Sequence, residues 1–313
     1  MAAPEPDADC QSWVQFYLKR LSKGPALWQV LKSSYLNFGD PDEVVFPERF
    51  LEAAGELFVL MLAVCWALTA AFNPGIIQRN LLHDVVGYNN LCVGFDTPPA
   101  RYAAVPLFTL MSFFGIRYVM LDSVRANLQK VSSQIGGCQY NFTRFANGLY
   151  AFFLLFWPML LVVTPDVHKN AHTFLFFGMI ICSCLVCCAN FAEAEMVTLS
   201  SKIWIGLFVF TSLMLPTLGI VDFRAYDSQK CYDAAGGDSA ALILSDNPAV
   251  VAACQQEPAI PVWLLATFDY GWFLLLGLST LFLPEAPPLH LDYELIRTKS
   301  GVLEAVKLVT GSQ

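Results

Sequence analysis

Charged residues are scarce in this chain. Only 14% of its 313 residues are Asp, Glu, Lys or Arg, whereas 56% are hydrophobic. Because soluble domains carry about 25% charged residues, this shortage argues against an ordinary water-soluble fold. Clustered cations are also missing, since the net charge is −8 and no basic run is longer than Lys19-Arg20. Phosphate binding needs such clusters, so the sequence argues against a nucleic-acid partner.

Recognisable catalytic motifs are absent from the sequence. It contains no GxSxG elbow, no Walker loop, no HExxH, no dinucleotide fingerprint and no multi-histidine box. We therefore expect a non-enzymatic protein with no catalytic residue, cofactor or bound metal. The first ten residues, MAAPEPDADC, lack a basic region followed by an apolar one, so we expect no cleavable signal peptide.

Long apolar stretches take up most of the remaining sequence. A hydrocarbon core about 30 Å thick is crossed by roughly 20 apolar residues in a helix. Backbone groups in lipid must satisfy their own hydrogen bonds, which also favours helices. The sequence therefore predicts an all-α, polytopic transmembrane bundle of about six spans. The predicted spans are 54–73, 102–121, 145–164, 172–192, 203–221 and 261–283.

The same pattern predicts one membrane domain with short flanking parts. The flanking parts are an N-terminal segment, 1–53, and a tail, 284–313. The membrane domain, 54–283, contains the outside loops 74–101 and 223–260. Aromatic and basic residues recur at helical spacing within 11–38, which is typical of amphipathic helices. Such helices lie either in the plane of the membrane interface or against the cytoplasmic ends of the bundle.

The distribution of Lys and Arg predicts the orientation. Twelve of them fall on the side of both termini and five on the opposite side. By the positive-inside rule, both termini should face the cytoplasm, in an endomembrane or the plasma membrane. Loop 122–144 is then cytoplasmic, and Glu193 and Glu195, just past the fourth span, should be solvated.

Three cysteines fall on the predicted outside, where an oxidising environment permits disulfides. Cys92 lies in the first outside loop, and Cys231 and Cys254 lie in the 223–260 loop. A Cys231–Cys254 pair would close that loop. A pair between Cys92 and either of the others is the competing arrangement, and three free thiols are the remaining one.

Asp269 is the most informative single residue, because it lies well inside the sixth apolar stretch. A carboxylate there costs several kcal/mol by insertion scales unless it is paired, protonated or hydrated. We expect it to contact a ligand or an ion, or to relay protons, with Tyr270 and Trp272 as neighbouring donors. The alternative is a structural carboxyl that bonds a neighbouring helix or lies near the outer headgroups.

His168 and His172 form a second candidate contact for a ligand or an ion. They are four residues apart at the start of the fourth span, so a helix would place both imidazoles on one face. Metal binding would need further ligands, which do not follow in the sequence. The alternative is an interfacial pair at the outer mouth of that span.

Short motifs give the chain two resemblances. Cys92, the run TPPARY at 97–102, Arg117-Tyr118 and His172 are similar to features of the damage-regulated autophagy modulators and related GPI-lipid-remodelling six-span proteins. That resemblance implies cytoplasmic termini and a sizeable first luminal loop. The run HKNAH at 168–172 resembles the histidine region of androgen-induced six-span lipid hydrolases. This second resemblance implies a nucleophilic threonine, either Thr69 or Thr109.

Three functional hypotheses follow from these observations. The leading one is a non-enzymatic multi-pass membrane protein that carries a small solute or ion, or organises membrane traffic or lipids. The second is a membrane-embedded lipid hydrolase that uses a Thr/His pair. The third is an accessory subunit of a larger membrane complex. The expected partners are membrane lipids and another membrane protein.

Overall fold

The computed structural model describes residues 18, 21–36, 42–78, 80, 83, 86–163, 165–194, 196–225, 227–234, 236, 247–254, 257–297 and 303–309. Within this part of the chain, helices and three strands follow one another in sequence. The helices are α1 Ala26–Leu36, α2 Glu48–Phe72, α3 Pro74–Gln78, α4 Ala100–Val131, α5 Gly137–Phe156, α6 Pro165–Glu193, α7 Leu199–Ala225, α8 Ser228–Ala234, α9 Pro248–Cys254, α10 Val262–Gly277 and α11 Ser279–Phe282. The 3₁₀ turns are Leu91–Phe95 and Trp157–Leu161, and the strands are β1 Asp42–Val45, β2 Leu289–Arg297 and β3 Leu303–Val309.

Five helical segments are long and apolar enough to cross a membrane: α2, α4, α5 with its 3₁₀ extension, α6 and α7. The sixth apolar helix, α10, has only 16 residues, but α11 continues it after Leu278. The run 262–282 therefore rises about 31 Å, close to the thickness of a hydrocarbon core. The predicted all-α polytopic bundle is confirmed, with the sixth crossing built from two pieces.

Prolines explain several helix ends. Helix α2 stops at Phe72 and Asn73 precedes Pro74, whose ring disfavours a helical conformation in the residue before it. Helix α5 changes to a 3₁₀ turn at Trp157-Pro158, because Pro158 has no N–H to donate. The third span is therefore an α-helix that ends in a 3₁₀ turn.

The prediction that residues 122–144 form a loop is wrong, because most of them are helical. Helix α4 continues to Val131 and α5 begins at Gly137, which leaves five residues, 132–136, as the connection. At 32 residues, α4 is about 48 Å long and extends well past a 30 Å core. Charged residues in its last two turns therefore lie beyond the hydrocarbon while they remain helical.

The six crossing segments form a closed ring in chain order: α2 packs on α4, α4 on α5, α5 on α6, α6 on α7, α7 on α10, and α10 back on α2. Aromatic side chains from all of them fill the centre of the ring. Phe58, Phe108, Trp157, Phe176, Phe208, Trp272 and Phe273 make a connected set of ring contacts with centroids 5.3–6.3 Å apart. We call this set the aromatic core.

A small antiparallel sheet joins the two ends of the chain. Strand β1 precedes the first crossing helix and β2 follows the last, yet they pair, with Val44 opposite His290 and Val45 opposite Leu289. Strand β3 then pairs with β2. Strands that pair lie on the same side of a membrane, so the chain crosses an even number of times. The sheet is an addition to the predicted all-α fold and lies outside the spans.

Helix α1 packs against the bundle. Ala26 and Val30 are buried, and the backbone N–H groups of Ala26 and Leu27 donate to the Glu56 carboxylate of α2 at 2.9 and 2.8 Å. A carboxylate at a helix N-terminus satisfies otherwise unpaired donors and the helix dipole. These contacts fix α1 to α2, while Leu21 and Trp28 stay exposed, so both sequence-based positions for this segment stay predictions. The stretch before residue 21 is outside the described residues, apart from Leu18.

Candidate functional site

Asp269 is fully buried in α10, and two residues of the 74–101 loop hold one of its oxygens. The Tyr88 hydroxyl donates to Oδ2 at 3.1 Å, and the Asn90 amide donates to the same atom at 2.8 Å. Its other oxygen, Oδ1, has no hydrogen-bond partner in the described part of the chain. The predicted donors are wrong, since Trp272 bonds the Ser212 hydroxyl and Tyr270 donates to the Asn89 carbonyl.

The loop reaches Asp269 because α2 holds it in place. Asn90 accepts from the backbone N–H of Cys92 at 2.7 Å and so caps the 3₁₀ turn. Thr69 of α2 donates to the Gly94 carbonyl at 2.6 Å, and Trp66 donates to the Leu91 carbonyl at 2.7 Å. A side chain at Gly94 would lie 2.6 Å from the Trp66 ring, so glycine permits this close approach. Asn90 therefore both orders the turn and donates a hydrogen bond to the Asp269 carboxylate.

A cavity of about 40 Å³ lies beside Asp269. A buried water needs about 10–15 Å³ of space for its centre, so the cavity has room for about three waters or a small ion. Most of its wall is apolar, and its polar residues are Tyr88, Asn90, Cys92, His172, Thr173 and Asp269. We call this space the Asp269 cavity. The structure therefore brings Asp269, His172 and Cys92, three of the predicted site residues, to one place.

His172 is buried and oriented by the backbone. Its Nδ1 lies 2.9 Å from the carbonyl oxygen of Val163. Because a carbonyl only accepts, Nδ1 carries the proton, and this bond fixes the orientation of the ring. His168 is one turn earlier in α6, but its side chain is outside the described residues. Of the two histidines, only His172 has a described side chain in the wall of this cavity.

Two of the lining groups in the loop stay neutral. Burial raises the pKa of the Tyr88 hydroxyl, and the nearby Asp269 charge raises that pKa further. Burial and the Asp269 charge also raise the pKa of the Cys92 thiol well above its ordinary value. Tyr88 therefore remains a donor and Cys92 a thiol at neutral pH. A thiol in this state is a poor metal ligand and a poor nucleophile.

The cysteines pair as one of the sequence-based arrangements predicts. Cys231 of α8 and Cys254 of α9 form a disulfide within the 223–260 loop. Cys92 is free and buried, so the competing pairs are not formed. Among the described residues, no three His, Cys, Asp or Glu side chains converge in a way that would hold a metal ion.

The two threonines implied by the hydrolase resemblance make bonds to the backbone. Thr69 donates to Gly94 as described above, and Thr109 donates to the Val105 carbonyl at 2.9 Å on an exposed face of α4. Neither threonine belongs to the described wall of the cavity that contains His172. The geometry therefore does not favour a Thr/His pair built from these residues.

A second buried polar site lies toward the other end of the bundle. Arg125 of α4 is 2% exposed and bonds four side chains from three helices. It donates to Glu48 at 2.9 Å, to Glu193 at 3.1 Å, to Asn190 at 3.0 Å and to Asp122. We call Arg125 with Glu48, Asp122 and Glu193 the inner cluster.

Polar neighbours complete the inner cluster. Asn147 of α5 donates to Asp122 at 2.7 Å, and Thr143 donates to Glu193 at 2.7 Å. The prediction that Glu193 is solvated is wrong, because it is buried and ion-paired here. Glu195 lies outside the described residues. The inner cluster therefore ties α2, α4, α5 and α6 together.

Sequence reasoning missed the inner cluster and the donors to Asp269. Arg125, Asp122 and Glu193 each lie next to an apolar stretch, where solvated charges are common. One signal was present, since Asp122 and Arg125 are three apart and would share a helix face if the helix continued. Tyr88 and Asn90 carried no comparable signal. No protein-family model, no curated protein and no solved structure matches the chain.

Proposed function

We propose that this multi-pass membrane protein is a carrier for a small cation, with Asp269 as its contact inside the membrane. The observation that supports this most directly is the buried Oδ1 atom of Asp269, which has no protein partner among the described residues, in a residue that lines a cavity. A buried carboxylate without a counter-charge is costly. A bound cation or proton would remove that cost.

The surroundings of Asp269 favour a small positive ligand. The two bonds to Oδ2 come from the neutral groups Tyr88 and Asn90, so they orient the carboxylate without neutralising it. The cavity volume of about 40 Å³ suits an ion or a small amine rather than a large solute. His172 adds a second polar side chain to the same wall.

The aromatic core favours a carrier over an open channel. Phe176 lines the cavity and contacts the rings of Trp272 and Phe273, and all three are buried in the centre of the ring of helices. A cation at Asp269 would therefore need a rearrangement of these side chains to travel further. Alternating exposure of a central site is the usual behaviour of secondary transporters.

A flux measurement tests the proposal. Purified protein is reconstituted in liposomes, and uptake of protons, Na⁺ and methylammonium is followed for the wild type and for Asp269→Asn. We expect the substitution to abolish uptake of the transported cation, because it removes the charge and keeps the shape. Glu257→Gln is the matched control, since Glu257 is an exposed carboxylate outside the cavity. Equal flux in the wild type and Asp269→Asn would contradict the proposal.

Cysteine labelling tests the proposed orientation, in which both termini are cytoplasmic. Cys138 is exposed at the start of α5, on the side of the inner cluster, whereas the disulfide lies on the opposite side. A membrane-impermeant maleimide should label Cys138 after digitonin opens the plasma membrane, and not in intact cells. Cys138→Ser identifies the labelled site. Labelling of Cys138 in intact cells would reverse the orientation.

A further inference from the structure

A second space lies beside the Asp269 cavity and opens toward the lipid. It has a volume of about 550 Å³ and lies between α5, α6 and α7. Its apolar wall includes Leu149, Phe153, Phe174, Ile181, Pro216 and Ile220. Phe174 is 64% exposed and Ile220 is 42% exposed, so both face outward from the bundle. We call this space the lateral groove.

The lateral groove and the Asp269 cavity share part of their walls. Thr173, Phe177 and Phe223 line both spaces, and all three are half-buried. These side chains therefore form the partition between the lipid-facing groove and the carboxylate. A movement of Phe177 and Phe223 would join the two spaces.

Glycine allows this partition to form. A Cβ atom at Gly219 would lie 2.5 Å from the end of the Phe177 ring. The missing side chain lets Phe177 lie against α7, where it separates the groove from the cavity. The same glycine lines the cavity itself. The contact involves the far end of a side chain rather than the backbone, so rotation of Phe177 could change it.

We propose that the cation bound by Asp269 is the amine of an amphipathic monoamine, which enters sideways from the lipid through the lateral groove. This inference rests on the proposed function and names its substrate class. The amine would donate to Oδ1 of Asp269, and the apolar body would occupy the groove. Charge-assisted hydrogen bonds of this kind are the strong ones. A largely apolar space of 300–1,000 Å³ with a few polar groups is typical of small-molecule sites.

Arg224 restricts the ligand to one amine. It lies in the last turn of α7, lines the lateral groove and is exposed. Five residues separate it from Gly219, so it lies about 7–8 Å further along the helix axis. A second amine on the same ligand would meet this cation. We therefore expect a monoamine to bind better than a diamine of equal length.

Equilibrium binding of radiolabelled dodecylamine to the protein in nanodiscs tests the inference, with empty nanodiscs subtracted. Ile220→Trp fills the groove from its lipid-facing side. Leu213→Trp is the control, because Leu213 is an exposed residue of α7 that does not line the groove. We expect Asp269→Asn and Ile220→Trp each to weaken binding at least about tenfold, or about 1.4 kcal/mol. Leu213→Trp should bind like the wild type, and dodecanol and 1,12-diaminododecane should compete poorly.

The outcomes separate this inference from the proposed function. If Asp269-dependent methylammonium uptake is present but dodecylamine does not bind, the proposed function stands and the amphipathic ligand is overturned. If dodecylamine binding depends on Asp269 and is unchanged in Ile220→Trp, the lateral route is overturned. If neither uptake nor binding depends on Asp269, both proposals fail. Monodisperse elution of each variant establishes that it is folded.

Discussion

The Asp269 cavity and the inner cluster bury carboxylates in opposite ways. In the inner cluster, Glu48, Asp122 and Glu193 all bond one cation, Arg125. In the cavity, Asp269 is held only by neutral donors. One of its oxygens, like Oε1 of Glu48 in the inner cluster, has no partner in the described part of the chain, so the difference between the two sites is the cation. Removing one partner of a buried ion pair is costly, whereas a buried carboxylate without a cation carries a cost that a ligand can remove. The contrast separates an ion-paired cluster from the proposed binding site within one bundle.

Position along the helices agrees with this contrast. Arg125 is 25 residues past the start of α4, or about 38 Å, which places it beyond a 30 Å core near the membrane interface. Asp269 is seven residues into α10, or about 10 Å from the start of that helix. The inner cluster is therefore at a depth where charges are tolerated. Asp269 is at a depth where a charge is costly unless it is paired, protonated or hydrated.

The largest effect is expected from removing the cation of the inner cluster. Arg125→Met would leave three buried carboxylates without their shared partner. Breaking a buried ion pair from one side costs about 3–5 kcal/mol of unfolding free energy. Chemical unfolding in detergent should show this loss. The matched control, Arg117→Met on the same helix, should cost about 1 kcal/mol or less, because exposed Arg117 contacts only the Phe50 ring among the described neighbours. If both variants were equally stable, the structural role of Arg125 in the inner cluster would be contradicted.

A smaller effect is expected at the cavity from Tyr88→Phe. The substitution removes the donor to Oδ2 of Asp269 and leaves the ring contact with Tyr270 in place. Hydrogen bonds to charged groups contribute about 1.5–3 kcal/mol. The same unfolding measurement should detect this loss, whereas Tyr102→Phe, at a residue 70% exposed, should have no effect. A Tyr88→Phe protein as stable as the wild type would mean that Asp269 is held mainly by Asn90.

The smallest effect on stability is expected from Asp269→Asn. The amide oxygen can still accept from Tyr88 and Asn90, and the cost of burying a charge disappears. The unfolding free energy should stay within about 1 kcal/mol of the wild type or rise, as is common when a functional residue is replaced. Loss of cation flux without loss of stability would mark Asp269 as functional. A loss as large as that of Arg125→Met would instead make it structural and weaken the comparison.

Sequence reasoning succeeded for features that depend on one segment. The spans could be predicted, and Cys231–Cys254 was one of three arrangements left open for the outside cysteines, because each follows from local composition or from the side of the membrane. It failed for Glu193, which lies at the end of a span and was expected to be solvated. Its burial depends on Arg125, 68 residues away in the sequence. The sheet of β1, β2 and β3 was missed for the same reason, since its first two strands come from opposite ends of the chain.

That lipid surrounds most of this chain follows from the sequence, because the transfer cost of a charge or an apolar side chain is a property of each segment. The composition of separate segments does not show which side chains meet inside the bundle. Asp269 bonds Tyr88 and Asn90 across 181 and 179 residues of sequence, and no local pattern links them. Helix packing brings these groups together, and it places Asp269 in the wall of a cavity while it surrounds Arg125 with carboxylates. The chemistry of the site is therefore a consequence of the folded arrangement.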